Sequence, residues 1–298
     1  MAYREWRPAG GATTAPTVLC AHGLTRTGGD FDRLAATLAA EGRRVVCPDI
    51  VGRGLSDRLP DAALYGVPQY VADCVTLLAR LDGDAERDAP IALDWVGTSM
   101  GGLIGMALAG LARPGGVASP IGRLLLNDIG PVLSREGLAR IAGYVGGPDG
   151  VLPRYADFAA AERALRETMA SFGPHGDEEF RLLSRHHFVE GEDGWRAHYD
   201  PAIAAPFADA PTEDVTMWPL WNALECPVTV LRGAESDLLS TTTAESMRRG
   251  GPDGAGPRAT LVTVAGVGHA PTLIRASQID AVRRFLDGEP QPTEPIDG

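Results

Sequence analysis

A serine, an aspartate and a histidine in this 298-residue chain stand in short glycine-bearing segments: Gly97-Thr98-Ser99-Met100-Gly101, Arg232-Gly233-Ala234-Glu235-Ser236-Asp237 and Gly266-Val267-Gly268-His269-Ala270-Pro271. A serine hydroxyl is a poor nucleophile near neutral pH. An imidazole that takes its proton during attack activates it, and a carboxylate fixes the imidazole tautomer and stabilises the cation that forms. On this reading Ser99 is the nucleophile, His269 the base and Asp237 the acid. Their chain order of serine, acid, histidine matches one fold class. The oxyanion of a tetrahedral intermediate needs donors as well. The backbone N–H groups of Leu24, in the His22-Gly23-Leu24 loop, and of Met100, next after the nucleophile, are assigned to it.

These residues need elements that deliver them to one place. Residues 91–96 form an apolar run suited to a buried strand, while Leu103, Ile104, Ala107 and Leu108 recur at helical spacing. The sharp turn between them strains its central residue, and glycines two positions either side leave it room. Ser99 would then stand at a helix start, where free N–H groups and the helix dipole favour negative charge. Further strands are predicted at 17–21, 44–47, 121–127, 227–231 and 259–264, with an edge strand within 1–8. Helices are predicted at 31–41, capped by Asp30, at 67–81, through Met247 with Ser240 or a nearby threonine as cap, and at 278–286. The terminal PQPTEPIDG reads as a frayed tail. From Gly130 to about Leu220 the texture changes to short helices with many Gly and Pro breaks, a helical cap inserted over the sheet's active edge. The chain thus divides into a first core part (1–129), the cap (130–221) and a second core part (222–298). Tyr144, Phe172 and Trp218 are candidates for the cap's underside. His22 and Asp49 read as loop braces, and His186 and His187 as surface or packing residues.

A formal net charge of −12 argues against polyanionic partners such as nucleic acid. Walker-type, dinucleotide-binding and H-E-x-x-H patterns are lacking, so neither a cofactor nor a metal is expected. No run approaches the ~20 apolar residues of a membrane span, and MAYREWRPAGG lacks the apolar core of a signal peptide. A cytoplasmic protein is expected. Cys20, Cys47, Cys74 and Cys226 show no C-x-x-C spacing and read as buried free thiols.

The chain resembles the α/β-hydrolase superfamily over nearly its full length, through the His22-Gly23 loop, PDIVGRGLSD (48–57), GTSMGG (97–102), RGAESDLLS (232–240) and GVGHAP (266–271). The resemblance implies an α/β fold with an eight-stranded, mostly parallel sheet, helices on both faces, an inserted helical cap, no cofactor and esterase-like chemistry. Some members carry the triad acid after the strand that follows the nucleophile helix, where Asp128 stands here; Asp237 is preferred. Members with an aspartate nucleophile differ at the position of Ser99. The expected function is hydrolysis of a small or medium carboxylic ester, lactone or hydroxyacid oligomer through an acyl-enzyme. The alternatives are cleavage of a carbon–carbon bond, acyl transfer by the same machinery, or a silent fold that only binds a ligand.

Overall fold

The computed structural model describes residues 1–11, 15–83, 92–111, 119–147, 150–208 and 212–298. In chain order come β1 (Tyr3–Trp6), β2 (Thr17–Ala21), α1 (Asp32–Ala40), β3 (Val45–Pro48), α2 (Val67–Gly83), β4 (Leu93–Thr98), α3 (Met100–Gly110) and β5 (Ile121–Asn127). Next are β6 (Val132–Leu133), α4 (Arg135–Val145), α5 (Phe158–Thr168), α6 (Asp177–Arg185), β7 (Phe188–Gly191), β8 (Gly194–Ala197), β9 (Val215–Thr216) and α7 (Trp218–Asn222). The chain closes with β10 (Val228–Gly233), α8 (Thr241–Arg248), β11 (Thr260–Ala265), α9 (Ala276–Asp287) and β12 (Ile296–Asp297). Ile91, read as the start of the central strand, lies outside the described residues, as do 112–118.

Eight strands join in one sheet of order β1-β3-β2-β4-β5-β10-β11-β12. Only the edge pair β1·β3 is antiparallel; every other ladder of this sheet is parallel. Parallel strands need helical crossovers, so both faces are covered and the strands are apolar on both sides. Alternation along each strand divides the core into two layers. Leu19, Val46, Trp95, Leu124, Leu126 and Val230 pack with α2, α3 and α8. Val18, Cys20, Val96, Leu125, Leu231 and Val262 face the opposite way, against Leu34 and Leu38 of α1 and Val282 and Phe285 of α9.

The segment between β5 and β10 contributes no strand to this sheet among the described residues. Its ladders are separate two-stranded pairs, β6 with β9 and β7 with β8, so it is not purely helical. Two other expectations are corrected. The C-terminal residues are not a frayed tail. Ile296 and Asp297 pair with Val264 and Ala265, so β12 covers the otherwise open edge of β11, and the Ser277 hydroxyl donates to the Asp297 carbonyl. A two-residue strand carries too little periodicity to be read from sequence. Asp30 does not cap α1. It sits inside the 3₁₀ turn Gly28–Phe31 and accepts from Arg26 Nε and Nη2 instead, at 2.8 and 2.7 Å. Ser240 does cap α8, its Oγ accepting from the Thr243 N–H.

Candidate active site

Ser99 lies between β4 and α3 at φ 52° and ψ −117°, a positive-φ conformation costly for a side-chain-bearing residue. Its neighbours make the turn possible. A Cβ at Gly97 would collide with the Gly101 backbone, and one at Gly101 would collide with the Ala21 carbonyl. The Trp95 indole, fully buried beneath, donates to the Gly101 carbonyl at 2.9 Å. The turn is therefore held from below, and the Ser99 hydroxyl is left at the carboxyl end of the sheet, where open α/β folds place their ligands.

His269 approaches from the loop after β11, its Nε2 2.9 Å from Ser99 Oγ. Its Nδ1 lies 2.7 Å from Oδ2 of Asp128, not from Asp237. The Asp128 side chain is fully buried, yet its carboxylate also accepts from the Gly233 N–H at 2.9 Å and from the Ser236 hydroxyl at 2.6 Å. Three donors on one carboxylate are what make its burial tolerable. With Nδ1–H donated to that carboxylate, Nε2 is the acceptor for the serine proton.

The expectation for Asp237 is thus corrected, and the reason is the path of its loop. Strand β5 lies beside β4, so the first residue past β5 is already under His269. After β10 the chain turns toward β11: Ala234 donates to the Val264 carbonyl and Glu235 to that of Val267. That turn presents Ser236 inward to Asp128 and Asp237 outward. Asp237 is exposed and pairs with Arg140 of α4, Nε to Oδ2 at 2.6 Å. Ser236 went unnoticed in the sequence because a hydroxyl beside an aspartate carries no distinguishing pattern. Asp128 carried one usable signal, its place directly after a long apolar strand.

The His22–Leu24 loop lies against Ser99: a Cβ at Gly23 would sit 3.8 Å from the Ser99 Cβ. His22 is fully buried, with Nε2 accepting from the Ile50 N–H at 2.9 Å and Nδ1 donating to the Gly23 carbonyl at 2.7 Å. Burial pushes its pKa down to about 4, so it is a neutral brace. Asp49 accepts from the Gly28 and Leu55 amides at 2.8 and 2.9 Å and organises the neighbouring loop.

A residue that sequence reasoning passed over ties these loops together. Arg53 is fully buried. It donates to the carbonyls of Leu24 (2.8 Å) and Val51 (2.7 Å), the Tyr70 hydroxyl (3.0 Å) and the Met100 sulfur (3.5 Å). Its guanidinium carbon lies 4.9 Å from the Tyr70 ring centroid. Burial pushes its pKa below the usual arginine range. One cation thus touches both residues assigned as oxyanion donors.

Above Ser99 and His269 is a cavity of about 460 Å³, roofed by residues of the segment between β5 and β10. Tyr144 and Phe172 line it, as does Tyr199. Trp218 is not among its lining residues and packs edge-on against Trp221, ring centroids 6.3 Å apart. His187 also lines it, and burial holds its pKa well below the ordinary histidine value. Adjacent His186 points elsewhere, 2.8 Å from Asp32.

The alpha/beta hydrolase family profile matches residues 18–284. The chain belongs to that family. A relative from Cupriavidus necator named 3-hydroxybutyrate-oligomer hydrolase is 45% identical over 97% of this chain and 93% of its own length. Among solved structures, an alpha/beta hydrolase of Novosphingobium aromaticivorans is 38% identical, with a TM-score of 0.76 over 96% of this chain and 98% of that one. A protein of Rickettsia typhi is 28% identical, with a TM-score of 0.82 over 97% of this chain and 91% of that one. This hydrolase chain therefore shares its fold with both of these structures over nearly its full length. Among the described residues, no helix is long and apolar enough to cross a membrane.

Proposed function

We propose that this chain is a serine hydrolase that cleaves short hydroxyacid-oligomer esters through an acyl-enzyme. The observation that carries the reading is the relay of Ser99 Oγ, His269 and Asp128, at 2.9 and 2.7 Å, opening into the cavity. The Cupriavidus necator relative supports the substrate class.

In this mechanism Ser99 Oγ bonds to the ester carbonyl carbon as its proton passes to His269 Nε2. The carbonyl electron pair moves onto oxygen, where the Leu24 and Met100 amides receive it. Asp128 stabilises the imidazolium but keeps no proton of its own. The carbon–oxygen bond to the leaving unit then breaks, and Nε2 delivers its proton to the departing alcohol oxygen. Water next gives a proton to Nε2 and bonds to the acyl carbon. Ser99 leaves with that proton, and the carboxylic acid is released. In this reading residues 130–221 act as the cap that shapes the cavity. Cytoplasmic work fits the four cysteines, all buried and unbridged.

The test is turnover of a 3-hydroxybutyrate dimer, followed as monomer release. Ser99→Ala should lower kcat by about 10⁴-fold or more, leaving only the catalysis of binding and the oxyanion site. Undiminished turnover in that variant would refute the mechanism.

A further inference from the structure

A cavity that takes a hydroxyacid oligomer must meet its free carboxylate. The chain as a whole carries a formal charge of −12, so a local cation has to receive that anion. Among the described residues two guanidiniums line the cavity, those of Arg26 and Arg140. They differ in what surrounds them.

Arg26 is already committed. It forms a two-point pair with Asp30, donates again to the Leu183 carbonyl at 2.8 Å, and the pair's side chains are only 11% and 18% exposed. Removing it from Asp30 would leave a mostly buried carboxylate without its partner, a costly arrangement.

Arg140 is placed for exchange. It projects from α4 toward the loop after β10, with Ile141 and Tyr144 of the same helix lining the same cavity as Ser99 and His269. Its two-point pair with Asp237 uses Nε at 2.6 Å and Nη2 at 3.0 Å. Here the side chains are 44% and 53% exposed, so Asp237 can return to water when another carboxylate takes its place. A guanidinium fork matches any carboxylate in the same two-point geometry. Exchanging one carboxylate for another keeps the cation paired throughout, and an uncharged end group offers no such exchange.

We propose that Arg140 is the carboxylate-recognition residue of this site, binding the free acid end of the oligomer in exchange for Asp237. The inference rests on the reading above that the substrate is a hydroxyacid-oligomer ester. On it Asp237 keeps Arg140 paired when no anionic ligand is bound and competes with those that arrive. The selectivity of the site is accordingly for oligomers ending in a free acid over the same oligomers esterified at that end.

The test compares a 3-hydroxybutyrate dimer as free acid and as terminal methyl ester, with cleavage of the interior ester followed by chromatography. The quantity read is the ratio of the two kcat/KM values. Wild type should prefer the free acid. Arg140→Gln should lower the ratio at least about five-fold, as expected for loss of a charged hydrogen-bonding partner. Arg140→Lys should recover part of it. Asp237→Asn, by removing the competitor, should raise it. A ratio in Arg140→Gln within two-fold of wild type, with both forms still cleaved, would overturn this inference and leave the function standing. If wild type cleaves neither form but hydrolyses a simple p-nitrophenyl ester through Ser99, the substrate reading fails and this inference fails with it.

Discussion

Two carboxylates at the ends of neighbouring parallel strands, Asp128 after β5 and Asp237 after β10, sit in opposite environments. Asp128 is buried and held by an imidazole, a hydroxyl and a backbone amide. Asp237 is exposed and held by one half-exposed cation, Arg140, which lines the same cavity. The same functional group is thus a fixed electrostatic partner in one place and an exchangeable one in the other. The deciding variables are solvent access and the number of fixed donors, since an ion pair in water is worth little and a buried carboxylate stripped of its donors is intolerable.

The most direct way to break this comparison is to neutralise each carboxylate in turn. Asp128→Asn should lower kcat on a neutral ester by about 10³- to 10⁴-fold, because the imidazole loses its tautomer control. Asp237→Asn should change the same rate less than about five-fold. Equal losses in the two variants would erase the distinction.

The buried polar groups around the site sharpen it further. Arg53→Met removes the cation that holds Leu24 and Met100. It should lower kcat about 10- to 100-fold, less than outright loss of an oxyanion donor. Affinity for a boronic-acid analogue should fall in step, whereas a purely structural role for Arg53 would weaken substrate and analogue alike.

His22 makes the contrast measurable in stability. Its folded pKa of about 4 lies below the ordinary 6.5, so the unfolded chain binds more protons between those values. The contribution is complete above pH 6.5 and is lost as pH falls toward 4, at up to about 1.4 kcal/mol per pH unit. His187 acts in the same direction. Urea midpoints across that range should show His22→Asn with a shallower fall than wild type; parallel curves would refute the assignment.

The smallest effect is expected at the sheet edge. Deleting residues 290–298 removes β12 and its packing by Ile296, and should lower Tm by roughly 2 to 4 °C in a thermal melt.

Local patterns made much of this molecule legible. Apolar runs located the six inner strands of the central sheet, β2 to β5, β10 and β11, since a strand buried on both faces has to be apolar throughout. Gly97 and Gly101 marked the Ser99 turn because no side chain fits beside it. Gly268 and Pro271 marked a loop after a last apolar strand, and His269 stood within it. The β12 edge was illegible because two residues make no pattern; its pairing with β11, the Ser277 hydroxyl and the packing of Ile296 hold it.

The residue types along the chain determined that a hydroxyl and an imidazole would stand at strand ends, because those placements follow from hydrophobic periodicity and backbone sterics within a dozen residues. Only the tertiary structure decided which carboxylate serves the imidazole and which meets Arg140. Strand adjacency and the turn of the loop after β10 bring Asp128 under His269 and send Asp237 to solvent. Those are relations between residues 97 to 141 positions apart, and no local spacing encodes them.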